Sequence, residues 1–181
     1  MSRKKDKLVI FDLDETLIHS MIEPLDRPPD LVVEPLSVYV RPYARELINL
    51  FAEKFSFAIW SAGSPLYVEA IAEFLLDKDL KPVFIWDREM CSEKGSVFSF
   101  QKFLTKDLNR MKEFGFDLSS TLIIEDDPIK ISKFKNNAII VRQYFGDNND
   151  RELIQLADYI GDIDTVDDIR KLDKNLWNFK G

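Results

Sequence analysis

The 181-residue chain is 45% apolar and 31% charged, an ordinary globular composition that excludes disordered and fibrous classes and suits one domain. Lys plus Arg number 25 against 32 for Asp plus Glu, a formal net charge of −7, which argues against a broad grip on nucleic acid or an anionic membrane. The single Cys91 excludes an internal disulfide framework, and no apolar run reaches the roughly 20 residues that span a bilayer.

The basic start Arg3-Lys4-Lys5 is followed by an apolar stretch too short for a signal peptide. These features predict an intracellular protein, cytoplasmic or nuclear, and a monomer. Residues 1–181 are read as one domain, with a core from about 7 to 165 and a C-terminal helix from about 166 to 178.

In chain order, Leu8-Val9-Ile10-Phe11 is a short continuous apolar run, as a parallel strand covered on both faces requires. Pro24 to Pro35 holds four of the eight prolines and reads as a loop approaching a hairpin, Val32-Val33 with Val38-Tyr39-Val40. Pro42 stands where a helix could start, and Ala44, Leu47, Ile48 and Phe51 then repeat at helical spacing. Phe57 to Trp60 predicts a second buried strand, and Val68, Ile71, Ala72, Leu75 and Leu76 a second helix. Val83 to Trp86, Thr121 to Ile124 and Ala138 to Val141 are further strand candidates. Leu153, Leu156, Ala157 and Ile160 predict another helix. Strands alternating with helices imply an α/β three-layer sandwich around a central parallel sheet, with a small hairpin insert. Ligands of such sheets sit beyond the carboxyl ends of the strands.

Those ends carry acids. The first strand runs into Asp12-Leu13-Asp14-Glu15-Thr16. Two carboxylates so close repel unless a cation or proton compensates. An N-cap or surface turn is the plain alternative, and a calcium loop fails because Leu17 stands where it needs Gly. The second buried strand ends at Ser61 in Trp60-Ser61-Ala62-Gly63, either a phosphate cradle or a simple helix cap. Thr121 to Ile124 ends in Glu125-Asp126-Asp127-Pro128. With Asp12 and Asp14 these acids make an oxygen-rich site suited to Mg²⁺. Lys106, 20 residues before Asp126, is ordinary surface lysine unless the fold brings it there.

An apolar strand followed by Asp-x-Asp-x-Thr resembles the first motif of the haloacid dehalogenase superfamily. Ser61, Lys106 and Glu125-Asp126-Asp127 resemble its second, third and fourth motifs in order. Phe11 to Ser20, together with Val40-Arg41-Pro42, Trp60 to Gly63, Asp87-Arg88-Glu89 and Lys106-Asp107-Leu108, is similar to the small C-terminal-domain phosphatases. That resemblance covers roughly residues 7 to 165. It implies an aspartate-nucleophile phosphatase acting on phosphorylated protein, with Asp12 as nucleophile and Asp14 as acid and base. It also implies Mg²⁺ on Asp12, Asp14 (through its main-chain carbonyl) and Asp126, with phosphate contacts from Ser61 and Lys106. Thr16 is expected to stabilise the turn beside the phosphate, and Arg88 to contact substrate.

The chain departs from the family at Glu125-Asp126, where the small phosphatases usually carry Asp-Asn. Asp126 matches the family's metal ligand, and Glu125 is one methylene longer and competes for the role. Leu31, Val33, Leu36, Val38 and Tyr39 form either an apolar substrate pocket or simple packing of the hairpin. Asp12 to Ser61 spans 49 residues, too few for a helical lid, so the site is expected to be open enough for a protein side chain. A cysteine phosphatase is excluded because Val97 stands six beyond Cys91 in place of Arg. His19, the only histidine, is expected to orient the loop after Asp12 to Thr16. A small-molecule phosphatase, a phosphotyrosine phosphatase and a non-catalytic binding module are the competing readings.

Overall fold

A computed structural model describes residues 6–95 and 102–174. The continuous apolar runs do become the central strands, β1 (Leu8–Phe11), β5 (Ser56–Trp60) and β9 (Thr121–Glu125). With β6 (Ile85–Trp86) and β10 (Ala138–Ile140) they form a parallel five-stranded sheet in the order β10-β9-β1-β5-β6. β1 lies in the middle, with Phe11 level with Ile59 on one neighbour and Ile124 on the other. The residues after all three strands therefore emerge together at one edge.

The period-2 alternation of the strands divides the core in two. Val9, Phe11, Phe57, Ile59, Leu122 and Ile124 face the α-helices. These are α1 (Ala44–Lys54), α2 (Pro65–Leu75), α3 (Glu152–Ala157) and α4 (Ile160–Thr165). Leu8, Ile10, Ala58, Trp60 and Ile123 face the opposite way, against Phe84, Trp86, Leu108, Met111, Phe116 and Phe134. The three-layer arrangement therefore stands, but this second cover is built from tighter turns, chiefly a 3-10 helix over Leu108–Phe114.

The insert after β1 is larger by one strand than the sequence suggested. β2 (Ile18–Met21), β3 (Leu31–Val33) and β4 (Leu36–Val40) form an antiparallel sheet in the order β2-β4-β3. Its apolar residues are spent on packing: Val38 is fully buried in the main core, with Leu31, Val33 and Leu36 packed against it. The buried Tyr39 accepts a hydrogen bond from Leu25 N–H at 2.8 Å. A second hairpin, β7 (Ser92–Gly95) with β8 (Lys102–Thr105), leads into Lys106. Among the described residues no helix covers the strand edge as a lid.

Two expectations need correction. The stripe from Leu153 to Ile160 is broken, since α3 stops at Ala157 and α4 begins at Ile160. The C-terminal helix expected from 166 to 178 is not formed where it is described. Val166 is extended, and Ile169–Lys171 is one 3-10 turn, with Ile169 buried. The turn is anchored by Ile169 N–H donating to Ser119 O at 2.8 Å, a tertiary bond a continuing helix could not make. Residues 175–181 lie outside the described residues.

Candidate active site

The turn after β1 is tightly pinned. Asp12 N–H donates to Ile124 O at 3.0 Å, carrying the strand pairing one residue past β1. Thr16, Leu17 and Ile18 N–H all donate to Leu13 O, and Glu15 N–H to Ile18 O. Glu15 takes a left-handed conformation, φ 58°, which costs a non-glycine residue about 1 kcal/mol or more and persists only where surroundings dictate it. Part of that surrounding is Arg41, whose buried guanidinium donates to Thr16 O and Arg142 O and grips both oxygens of Asp150 at 2.9 Å. Tyr144 N–H closes the strap by donating to Glu15 O at 2.9 Å.

Asp12 (1% exposed), Glu125 (0%) and Asp126 (7%) converge at the strand edge. Each offers an oxygen within 4.8 Å of the others. Lys106, only 2% exposed, donates to Asp12 Oδ1 at 2.5 Å and to Glu125 Oε2 at 2.6 Å. The fold thus brings Asp12, Glu125, Asp126 and Lys106 into one cluster. Burial opposes the Lys106 charge, yet Asp12 and Glu125 hold its ammonium above lysine's ordinary range. Burial and neighbouring Asp12 push Glu125 up to about 8, against the pull of Lys106 and Lys130. Burial also works against Asp126, but hydrogen bonds from Glu125 and Gln143 and the nearby Lys130 hold it below the carboxylate range.

Lys130 is a residue that no sequence signal singled out. Its Nζ lies 3.3 Å from Asp12 Oδ2, 3.0 Å from Glu125 Oε1 and 3.2 Å from Asp126 Oδ1. Four residues past Asp126 in a turn, it carries no motif; its backbone carbonyl, which accepts from Lys106 N–H at 2.8 Å, also ties it to the site. Thr16 Oγ1 stands between two acids, 3.3 Å from Asp12 and 3.5 Å from Asp126. Its hydroxyl is placed to order carboxylates.

Asp14 is not part of that cluster. Its oxygens accept from Tyr67 Oη at 2.5 Å and from Ser61 Oγ at 3.1 Å. Ser61 in turn accepts from Gly63 N–H at 2.9 Å, so its one hydroxyl proton is free for Asp14. Burial raises the Asp14 pKa, the Tyr67 hydrogen bond opposes that, and the Asp12 charge adds to it. The same burial, with the Asp14 charge, drives the Tyr67 phenol far above its ordinary value, so it keeps its proton to donate to Asp14. Tyr67 was missed because it reads as one more aromatic on the buried face of α2. Ser20, which shares Tyr67 Oη at 2.9 Å, comes from β2.

The remaining sequence candidates fall at the margin. Arg88 is exposed, and its backbone N–H donates to Gly63 O at 3.0 Å, which sets it beside the Ser61 turn. His19 Nδ1 lies 3.2 Å from Glu15 Oε1, in keeping with a role in ordering this loop. Burial raises the Cys91 thiol, and its sulfur lies 3.9 Å from Ser61 O.

The model of the NLI interacting factor-like phosphatase family matches residues 7–170. A probable C-terminal domain small phosphatase of Dictyostelium discoideum is 31% identical over 172 residues, covering 91% of this chain and 53% of the relative. The human carboxy-terminal domain RNA polymerase II polypeptide A small phosphatase 1 is 30% identical over 178 residues, covering 93% and 64%. The chain thus spans about half to two thirds of these relatives. Among solved structures, the RNA polymerase II CTD phosphatase Fcp1 superposes with a TM-score of 0.55 at 20% identity, over 94% of this chain and 52% of that one, a likeness of fold. No helix among the described residues is long and apolar enough to cross a membrane. With a family model matched over residues 7–170, nearly all of its core, the chain belongs to the NLI interacting factor-like phosphatases.

Proposed function

We propose that this chain is a Mg²⁺-dependent phosphoprotein phosphatase that hydrolyses phosphoserine and phosphothreonine monoesters through an aspartyl phosphate on Asp12. The observation that carries the reading is the separation of the two acids. Asp12 lies against a lysine within an acid cluster, whereas Asp14, two residues on, is held apart by hydroxyls.

The donor set fits the metal. Carboxylate oxygens from Asp12, Glu125 and Asp126 are the hard ligands Mg²⁺ prefers, and an ammonium already rests among them. Asp12 and Asp126 would hold the ion, with the Asp14 main-chain carbonyl as the family resemblance implies. Glu125, engaged by Lys106 through one oxygen and by backbone N–H groups of Asp126 and Asp127 through the other, serves chiefly to position that lysine. When bound, the ion would offset charge on the transferring phosphoryl group.

An Asp12 carboxylate oxygen attacks phosphorus in line, and the bond to the seryl oxygen breaks as Asp14 gives that oxygen its proton. Asp14 then takes a proton from the water that attacks the phosphorus of the aspartyl phosphate. Phosphate leaves and the Asp12 carboxylate is restored. Lys106 neutralises charge beside the nucleophile and, with Ser61, is the ligand for phosphate oxygens; Thr16 keeps Asp12 oriented. Exposed Arg88 contacts the substrate chain. The strand edge without a helical lid among the described residues favours a protein side chain over a small metabolite.

The test is hydrolysis of p-nitrophenyl phosphate with EDTA or Mg²⁺, followed by phosphoserine and phosphotyrosine peptides. Metal-dependent turnover, lost by at least about four orders of magnitude in a folded Asp12→Asn protein, is expected for a missing nucleophile. Comparable turnover in that variant would exclude the mechanism. Inactivity of the wild type on every substrate would favour a binding module.

A further inference from the structure

Lys106 and Lys130 share the acid cluster, but on different terms. Lys106 takes Asp12 Oδ1 and Glu125 Oε2, and its side chain is 1% exposed. Lys130 takes the opposite oxygens, Asp12 Oδ2 and Glu125 Oε1, and adds Asp126 Oδ1, with 18% of its side chain exposed. The three residues that offer oxygens to a metal are thus the three that Lys130 holds. A hard divalent cation needs such oxygens at about 2.1 Å. A metal drawn that close to Asp12 and Asp126 would stand near the ammonium, 3.3 and 3.2 Å from the same two residues, where like charges repel strongly in a buried setting. One cation must leave for the other to enter.

The ammonium has somewhere to go. Lys130 also borders a cavity of about 150 Å³ whose lining includes the acids Glu93 and Asp107 beside Lys94, Lys106 and Lys133. Its four-carbon stem is flexible. Lys106 lines the same cavity, but its side chain is 1% exposed against 18% for Lys130, so Lys130 is the more accessible of the two.

We propose that Lys130 is a built-in competitor for the metal, its ammonium and Mg²⁺ occupying the Asp12 and Asp126 carboxyl groups in turn, so that metal entry displaces Lys130 toward the adjoining cavity. This rests on the metal site of the proposed function and adds a residue that sets how tightly the metal is held. Held at 3.0–3.3 Å from three carboxyl groups, the ammonium must give up ion pairs before a metal can enter, and that loss weakens metal binding. The same pairs stabilise the cluster when metal is stripped away.

The test is calorimetric titration of Mg²⁺ into the full chain after EDTA treatment and dialysis, comparing wild type with Lys130→Met, and thermal melts of both with EDTA and with Mg²⁺. Tighter binding in Lys130→Met, by at least about tenfold, is expected. So is a lower melting midpoint in EDTA that saturating Mg²⁺ restores. A lysine that merely supports the site gives the opposite result, affinity equal to or weaker than wild type, and that result overturns the proposal. Lys130→Gln, which keeps a polar tip without the charge, gives the same comparison if the Met variant does not fold. Measurable wild-type binding with an unchanged variant removes this proposal alone, whereas no binding in either protein removes the metal reading beneath it.

Discussion

Asp12 and Asp14 are the same residue type two positions apart on one turn, yet the fold surrounds them with different chemistry. Around Asp12 stand two ammonium groups and two further acids. Around Asp14 stand the hydroxyls of Tyr67 and Ser61, and no cation touches it among the described residues. A carboxylate set among cations and metal-ligand oxygens is placed to serve as the proposed nucleophile. One enclosed by burial and neutral donors can carry a proton. The contrast is what the proposed two-step transfer asks of one turn, a nucleophile among charged groups and an acid among neutral donors.

The largest expected effect that sharpens this comparison comes from Asp14→Asn, measured on two leaving groups. Hydrolysis of a phosphoserine peptide is expected to fall about 10²–10⁴-fold, the usual worth of a positioned acid and base. Loss on p-nitrophenyl phosphate should be distinctly smaller, because nitrophenolate departs without a proton. Equal losses on both substrates would mean that Asp14 does not protonate the leaving oxygen.

A second break is aimed at the metal side. Asp126→Ala is expected to raise the Mg²⁺ concentration needed for half-maximal activity about tenfold or more, as removal of a charged ligand should. Glu125→Gln, which keeps length and hydrogen bonding, is expected to shift it far less and to act mainly through Lys106. The reverse order in parallel metal titrations would assign the ligand to Glu125.

The smallest effect concerns the hydroxyl side. Tyr67 donates to Asp14 and so favours its ionised form, against the burial that raises it. Tyr67→Phe removes that donor, raises the Asp14 pKa further, and is expected to move the alkaline limb of the pH–rate profile upward by about one unit or less. The stability sign follows. A carboxyl raised on folding contributes stability below its unfolded value near 4, and loses it as pH rises through the higher folded value. Tyr67→Phe should therefore cost more stability at pH 8 than at pH 4, as read by denaturant melts. An unmoved limb would show that Tyr67 only packs.

Legibility followed the kind of signal each element carries. β1, β5 and β9 are buried on both faces, so their sequences are unbroken apolar runs, and the acids after them marked the site. β2 and β7 escaped notice for the converse reason. Ile18–Met21 includes His and Ser, and Ser92–Gly95 has no apolar residue. Their pairing comes from partners distant in the chain rather than from an alternation of their own. The stripe that suggested one helix from Leu153 onward is apolar on the right side, but the chain breaks it to seat Tyr159 and Ile163 in the core.

What the sequence by itself determined was the parallel sheet, the edge where chemistry gathers, and the identities of Asp12, Asp14, Ser61, Lys106, Glu125 and Asp126 as candidates. Burial period and strand-end position are local properties, written in consecutive residues. What only the tertiary structure decided was the partnership among them. Lys130 reaching three acids, Tyr67 and Ser61 claiming Asp14, and Arg41 bracing the turn from Asp150 all join residues far apart in the chain. Which carboxylate meets a cation and which meets a hydroxyl depends on distances of a few ångströms across packed elements, and no spacing along a strand or helix encodes them.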